Sequence, residues 1–356
     1  MRKIHSIEIT DEAQVGAARR AVHDFACRFD FTETEGAEID IVAQEIATNA
    51  ARYATGGGTL HFTTPNEDEA SGLELFYCDK GPGIYDIAQA LRDGASTGGS
   101  LGAGFGTIRR LTDEFEIYST VRTTTRLSLS GARRTTHGTA ILARKWTIDA
   151  GRQKAQLQTN AHGLNIGAWS RPYPNEEANG DAYFVRRISG KTLLAVIDGL
   201  GHGHGAQAAT AVALELLGEW NDEPLDEVIR ATHEALRATR GAVMGAVVID
   251  HAGGQFYYAG VGNVMARAFD TTEPASLISA NGTLGSRLGT VRVWNGKWRK
   301  GATLLLASDG LSASWDIHSY PGLLEHSPQL IAGVLMRDFA RSSDDATVLV
   351  ARSSQE

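Results

Sequence analysis

Between residues 38 and 53, apolar side chains recur at Ile39, Val42, Ala43, Ile46, Ala47 and Ala50. That i, i+3, i+4, i+7 series predicts an amphipathic helix with one face in a core. Residues 73–78 form an apolar run that ends on Asp79, which predicts a strand. A glycine-rich stretch then opens a predicted helix at 107–114, and strand-like stretches follow at 116–121, 125–129 and 138–143. Around 149–159 (DAGRQKAQLQT) the pattern turns polar and loses its period, which places a boundary there; a cluster of Pro, Asn and Glu at 172–179 marks an alternative. Beyond it, short strands are predicted at 182–188, 192–197, 244–249, 255–261, 303–307 and 347–351, with helices at 205–220, 225–238 and 329–340. Many strands, few helices and no strict βαβ order predict a layered α+β fold.

Composition narrows the classes without choosing among them. A chain of 356 residues fits two domains, and 42% hydrophobic with 21% charged residues is an ordinary globular balance. The net charge of −8 and the absence of a Lys/Arg run exclude a basic footprint for nucleic acid. The two cysteines, Cys27 and Cys78, make no disulfide framework and no metal-spaced pair. The first residues lack an apolar signal segment and no apolar run approaches membrane length, so a cytoplasmic protein with no membrane partner is expected. Forty glycines against eight prolines raise the question of whether the glycines gather at sites.

In the first half they do. On the predicted helix, Glu45, Asn49 and Arg52 share one face beside Thr48. A carboxylate and an amide one turn apart suit a site that holds Mg²⁺ and orients a hydroxyl, although a solvated helix face carries the same residues. Asp79-Lys80-Gly81-Pro82-Gly83-Ile84 puts an acid at a strand end, able to accept from an exocyclic amine such as that of adenine. The run from Ser96 to Gly106 (STGGSLGAGFG) offers free backbone N–H groups ahead of a helix, a natural phosphate cradle. It lacks the Gly-Lys-Ser/Thr of a P-loop.

The ordered boxes EIATNAARYA, DKGPGI and STGGSLGAGFGTIRRLTDEF resemble the Bergerat-fold (GHKL) ATPases, and most closely the RsbT branch of anti-sigma-type serine kinases, over residues 5–146. The resemblance implies an α/β sandwich over 1–148 that binds ATP with Mg²⁺. It implies that Glu45 orients or deprotonates the acceptor, Asn49 holds Mg²⁺ and Asp79 binds adenine. Gly81, Gly83, Gly102, Gly104 and Gly106 would shape the pocket and its lid.

In the second half, acids stand where apolar strands begin or end: Asp198 before Gly199, Asp309 before Gly310, and Asp344-Asp345 ahead of 347–350, with Asp181 in Asn179-Gly180-Asp181. One Asp-Gly pair describes an ordinary turn. Several gathered carboxylates repel unless a cation joins them, and hard oxygen donors select Mg²⁺ or Mn²⁺. Two such ions can activate a water and clamp a phosphate.

The motifs NGDAY, AVIDGLGHG, YAGVGN, LLASDGL and DDAT resemble the metal-dependent PPM-type phosphatases, most closely their SpoIIE/RsbX branch, over about 160–352. That likeness implies an αββα sandwich over 160–356 after a linker at 149–159. It implies that Asp198 bridges two metals with the Gly199 carbonyl on one of them, that Asp309 and Asp344 complete the other, and that Asp181 acts through water. Asp345 is a secondary candidate, and Tyr257, Tyr258, Gly260, Gly262 and Asn263 are expected to be structural. His202 and His204 stay open between a general acid and a glycine-rich turn that opens a helix; Leu200 stands where the wider family often has His. No phosphate-clamping Arg emerges from Arg186, Arg187 or others.

Together the two likenesses imply a serine/threonine protein phosphatase with a kinase-like ATP domain, acting in bacterial partner switching on a phosphorylated STAS-domain protein. The alternative is a phosphatase alone, with the first domain sensing nucleotide or docking the partner. A non-enzymatic scaffold would not need Glu45, Asn49, Asp79 and the acids together.

Overall fold

A computed structural model of the protein describes residues 3–65, 71–92, 104–126, 133–148, 163–188, 190–269 and 277–354. The chain divides into two compact units, Met1–Asn160 with Asp316–His326, and Ala161–Trp315 with Ser327–Glu356. The short segment 316–326 thus groups with the first unit, although it lies far along the second half of the sequence.

The first unit runs β1 (His5–Ile9), α1 (Val15–Ala26), α2 (Glu33–Tyr53), β2 (Gly58–Thr63), β3 (Gly72–Asp79), α3 (Ile87–Ala90), α4 (Gly104–Leu111), β4 (Glu114–Arg126) and β5 (Arg133–Trp146). Helix α2 starts ahead of the expected residue 38 because Thr32 caps it. The Glu35 N–H donates to Thr32 Oγ1 at 3.2 Å, and the Thr32 N–H donates to Glu35 Oε2 at 2.7 Å. This capping box satisfies donors that a helix start leaves open. All six predicted apolar positions of α2 are buried, four of them at 0% exposure. They join Ile9, Leu60, Leu75 and Ile108 in one core between the helices and the sheet.

That sheet has the order β1-β2-β3-β5-β4, with each neighbouring pair antiparallel. The strands expected separately at 116–121 and 125–129 belong to one strand as far as Arg126, with a register shift between Thr120 and Thr123. Residues 127–129 lie outside the described residues. Helix α4 begins at Gly104 rather than at 107. Its glycines are poor helix formers, but Ile108 is fully buried in the core and packing overrides propensity.

The second unit runs β6 (Leu164–Arg171), β7 (Asp181–Ile188), β8 (Lys191–Gly199), α5 (His204–Gly218), α6 (Leu225–Ala235), β9 (Ala242–Asp250), β10 (Gln255–Val261) and β11 (Met265–Phe269). It continues with β12 (Gly282–Thr283), β13 (Arg287–Leu288), β14 (Trp294–Lys297), β15 (Thr303–Ala307), α7 (Pro328–Phe339) and β16 (Ala346–Ser353). One sheet has the order β14-β10-β9-β8-β7 and the other β11-β15-β16-β6.

Strand β8 shows why its sequence is apolar throughout. Leu193, Ala195 and Ile197 face α5 and α6, while Leu194 and Val196 face the second sheet with Leu304, Leu306 and Leu349. A strand covered on both faces loses the polar half of its alternation. Helix α7 packs on β6 and β16, where the Ala168 N–H donates to Gln329 Oε1 at 3.0 Å. The result is the αββα layering expected from the motifs.

Candidate functional site

Asp181 opens β7 and Asp198 lies near the end of β8, and the two are direct cross-strand partners. Antiparallel register therefore sets two carboxylates side by side, an arrangement that destabilises a sheet unless something offsets the repulsion. Ser308 Oγ donates to Asp181 Oδ2 at 2.5 Å, and the Thr347 N–H donates to Ser308 Oγ at 3.0 Å. These bonds tie β7 to the ends of β15 and β16. Asp309, immediately beyond Ser308, accepts from Asn263 Nδ2 at 2.5 Å. Asp344 Oδ1 accepts from the Asp345 N–H at 3.0 Å, and Asp345 Oδ1 accepts from the Tyr173 N–H at 2.8 Å.

The glycines of these motifs are spacers set by contact. A Cβ on Gly199 would collide with the Ala206 carbonyl, and one on Gly310 with the Asp345 carbonyl. Asp-Gly recurs here because other backbones approach the strand ends that carry the acids.

The acids share one field. Burial first, then the charges of Asp181, Asp309, Asp344 and Asp345, push the Asp198 carboxyl up to about 9. Burial pushes Asp181 up to about 7 against the Ser308 hydrogen bond. Asp344 and Asp345 are also raised, with burial the first cause in each. Two arginines among the described residues feel these acids: Arg341 acts on Asp344, and Arg171 at the end of β6 has its pKa lowered by burial and raised by Asp345, Asp181 and Asp344. Its guanidinium donates to the Arg341 carbonyl. Arg186 is committed elsewhere, donating to the Gly218 carbonyl at the end of α5.

Among the described residues, no three His, Cys, Asp or Glu side chains converge closely enough as they stand to form a ready-made metal cage. The fit to a divalent cation lies in the donor chemistry. The donors are all oxygens, burial and neighbouring negative charge still raise Asp198 and Asp181 despite the hydrogen bonds around them, and Asp345 Oδ2 is buried without a hydrogen-bond partner. A hard cation would relieve each of these at once.

In the first unit, a Cβ on Gly104 would stand 3.2 Å from both Asn49 Nδ2 and Glu45 Oε2, so the start of α4 lies against that face of α2. Asn49 Nδ2 is buried without a hydrogen-bond partner. Arg52, on the same predicted face, pairs instead with Glu12 at 3.4 Å. Asp79 is buried at the end of β3, and its Oδ1 accepts from the Gly81 N–H at 2.7 Å and the Thr139 N–H at 3.2 Å. Gly83 has a φ of 79°, in the left-handed region. His137 Nδ1 pairs with the Gly81 carbonyl oxygen at 2.6 Å, holding the loop to β5. Gly106 is buried in α4. Gly102 and most of the glycine-rich run lie outside the described residues.

Sequence reasoning missed Asn263, Ser308 and Arg171 as site residues. Asn263 and Ser308 stood inside the quoted motifs YAGVGN and LLASDGL, but nothing local marked their side chains as partners of acids 46 and 127 residues away. Arg171 carried no motif.

With this geometry in hand, comparison with known proteins is specific. A family model described as a histidine kinase-like ATPase domain matches residues 9–129, and one described as stage II sporulation protein E (SpoIIE) matches residues 188–354. The serine/threonine-protein kinase RsbT of Bacillus subtilis (strain 168) is 35% identical over 113 residues, covering 32% of this chain and 84% of that protein. The phosphoserine phosphatase RsbX of the same organism is 25% identical over 176 residues, covering 49% of this chain and 87% of that protein. A solved structure from work on the bacterial stressosome as a modular system adapted to control secondary messenger signalling is also similar. It has a TM-score of 0.50 at 28% identity, covering 53% of this chain and 99% of that one.

Proposed function

We propose, starting from a chain that belongs to the RsbT-like histidine kinase-like ATPase family in its first part and to the SpoIIE phosphatase family in its second, that it dephosphorylates a phosphoserine or phosphothreonine protein with divalent cations and binds Mg-ATP in its first unit. The observation that carries the phosphatase reading is the set of acids Asp181, Asp198, Asp309, Asp344 and Asp345. They are brought together at four strand ends, where Asp181 and Asp198 are cross-strand partners and the charges of the other four acids bear on Asp198.

In this reading Asp198, Asp309, Asp344 and the Gly199 carbonyl hold the ions, with Asp181 acting through water. A bound pair of Mn²⁺ or Mg²⁺ supplies charge neutralisation and an activated water for in-line attack on phosphorus. The chain's own residues do the positioning. Asn263 fixes Asp309, Ser308 fixes Asp181, and the Tyr173 amide fixes Asp345. Arg171 places a positive charge beside the acids, where a phosphate would bind. In the first unit Asp79 accepts from adenine, Asn49 holds Mg²⁺ and Glu45 orients the acceptor hydroxyl. Support comes from the close approach of Gly104 to Glu45 and Asn49 and from the orphaned Asn49 amide.

The partner we propose is a phosphorylated STAS-domain protein, supported by the likeness of both halves to partner-switching enzymes. Hydrolysis of p-nitrophenyl phosphate is expected with Mn²⁺ or Mg²⁺ and not with EDTA, and Asp198→Ala should fall to the EDTA background. Undiminished hydrolysis by that variant would remove the metal assignment. Radiolabelled ATP with a STAS protein decides the role of the first unit: labelling lost in Glu45→Ala marks a kinase, and binding without labelling marks a nucleotide-sensing module.

A further inference from the structure

The loop 172–180 and the turn 201–203 meet beside the acids in an arrangement that the metal chemistry does not use. His202 Nδ1 pairs with Glu176 Oε1 at 2.5 Å, and the Tyr173 ring stacks on the imidazole with centroids 4.5 Å apart and planes 18° apart. The loop is folded so that both partners reach one ring: the Glu176 N–H donates to the Tyr173 carbonyl at 3.0 Å, and Asn175 takes a left-handed φ of 68° between them. Such a φ is uncommon outside glycine, although Asn tolerates it best. On the other side Gly203 has a φ of 75°, and a Cβ there would stand 2.8 Å from Glu176 Oε2. The carboxylate is therefore seated in the turn.

The unit is fastened to the acid cluster. The Tyr173 N–H donates to Asp345 Oδ1 at 2.8 Å, and His202 is among the charges that bear on Asp344. The ring remains 51% exposed at the side-chain level, against 29% for Glu176. A solvated surface histidine needs neither a stacked aromatic nor a buttressing carboxylate. With Nδ1 occupied by Glu176, the nitrogen left for chemistry is Nε2.

We propose that His202, held by Glu176 and Tyr173, is the proton donor to the departing serine or threonine oxygen. This rests on the phosphatase reading and deepens it. As a water oxygen forms its bond to phosphorus, the P–O bond to the side chain breaks and its electron pair stays on the serine oxygen. That oxygen takes the Nε2 proton, so serine leaves as the alcohol. The attacking water releases a proton to solvent, and solvent returns one to the imidazole, so the cycle balances. Glu176 and Tyr173 are positioning residues: one fixes the tautomer and the other the ring plane.

The test exploits leaving groups. A nitrophenolate departs readily without a proton, whereas a serine alkoxide does not, so loss of a general acid should fall on the poorer leaving group. With Mn²⁺-loaded full-length protein, His202→Gln is expected to lower kcat on a phosphoserine peptide about 100-fold more than on p-nitrophenyl phosphate. A steeper dependence of kcat on leaving-group pKa across substituted phenyl phosphates should accompany it. Glu176→Ala should show the same selectivity with KM for the peptide unchanged. Glu176→Gln, which keeps an acceptor for the Nδ1–H, should recover most of the loss. Equal losses on both substrates, or no loss on either, overturn the proposal while leaving the phosphatase reading in place. Absence of metal-dependent hydrolysis by the native chain would instead overturn the reading itself.

Discussion

Asp198 and Asp181 carry carboxyls that folding pushes upward from an ordinary 3.8, to about 9 and about 7, chiefly through burial. A folded acid with a raised pKa keeps a proton that the unfolded chain has released. Its contribution to stability is complete below the unfolded pKa and is lost as pH rises through the folded one. In EDTA, the melting temperature of the phosphatase unit should therefore fall as pH climbs from 6 to 9. Mn²⁺ should restore it most at the upper end, where the carboxylates are charged and a cation gains most. Asp198→Asn should flatten the fall; a melting temperature in EDTA that does not vary over this window would contradict the shared field. Asp198 was legible from its place before glycine at a strand end. The side chains that hold its fellow acids, Ser308 on Asp181 and Asn263 on Asp309, were not, because they come from separate strand ends and loops.

Helix α2 shows how one element serves two masters. Its apolar stripe fixes the orientation, with Ile46 fully buried among residues of the sheet and of α4. Its other face carries Glu45 and Asn49 toward Gly104. The stripe is worth more than the cap: Ile46→Ala should cost about 2–5 kcal/mol through lost burial and the cavity left, and Thr32→Ala about 1 kcal/mol. Urea unfolding of the two variants should give that order, and a larger loss for the cap would mean that the core tolerates the cavity. The stripe was readable to the residue because helical period and burial are both local. The start of α2 was not read, since the Thr32–Glu35 box lies ahead of the periodic run. The start of α4 was missed for the opposite reason: glycines spoke for a loop, and a buried Ile108 spoke for a helix only once its core existed.

At the scale of the whole molecule, each of the two compact units holds one of the candidate sites. Two ligand-specific stabilisations should follow. Mg-ATP at about 100 times its dissociation constant should stabilise the first unit by about 2.7 kcal/mol, and Mn²⁺ should stabilise the second. Asp79→Asn should abolish the ATP effect and leave the Mn²⁺ effect intact; a thermal scan with no ATP shift in the native protein would remove nucleotide binding. No helix among the described residues is long and apolar enough to cross a membrane. By itself, the sequence set the expectation of two units, the apolar stripe of α2, and the boxes that carry the acids, the amide and the glycines. All of these follow from periodicity and short-range spacing. Only the tertiary structure decided that Asn263 grips Asp309, that Arg171 stands among the cations beside the acids, and that Glu176 and Tyr173 hold His202. Those pairings join strand ends and loops distant along the chain, and a contact made by folding leaves no period in the sequence that makes it.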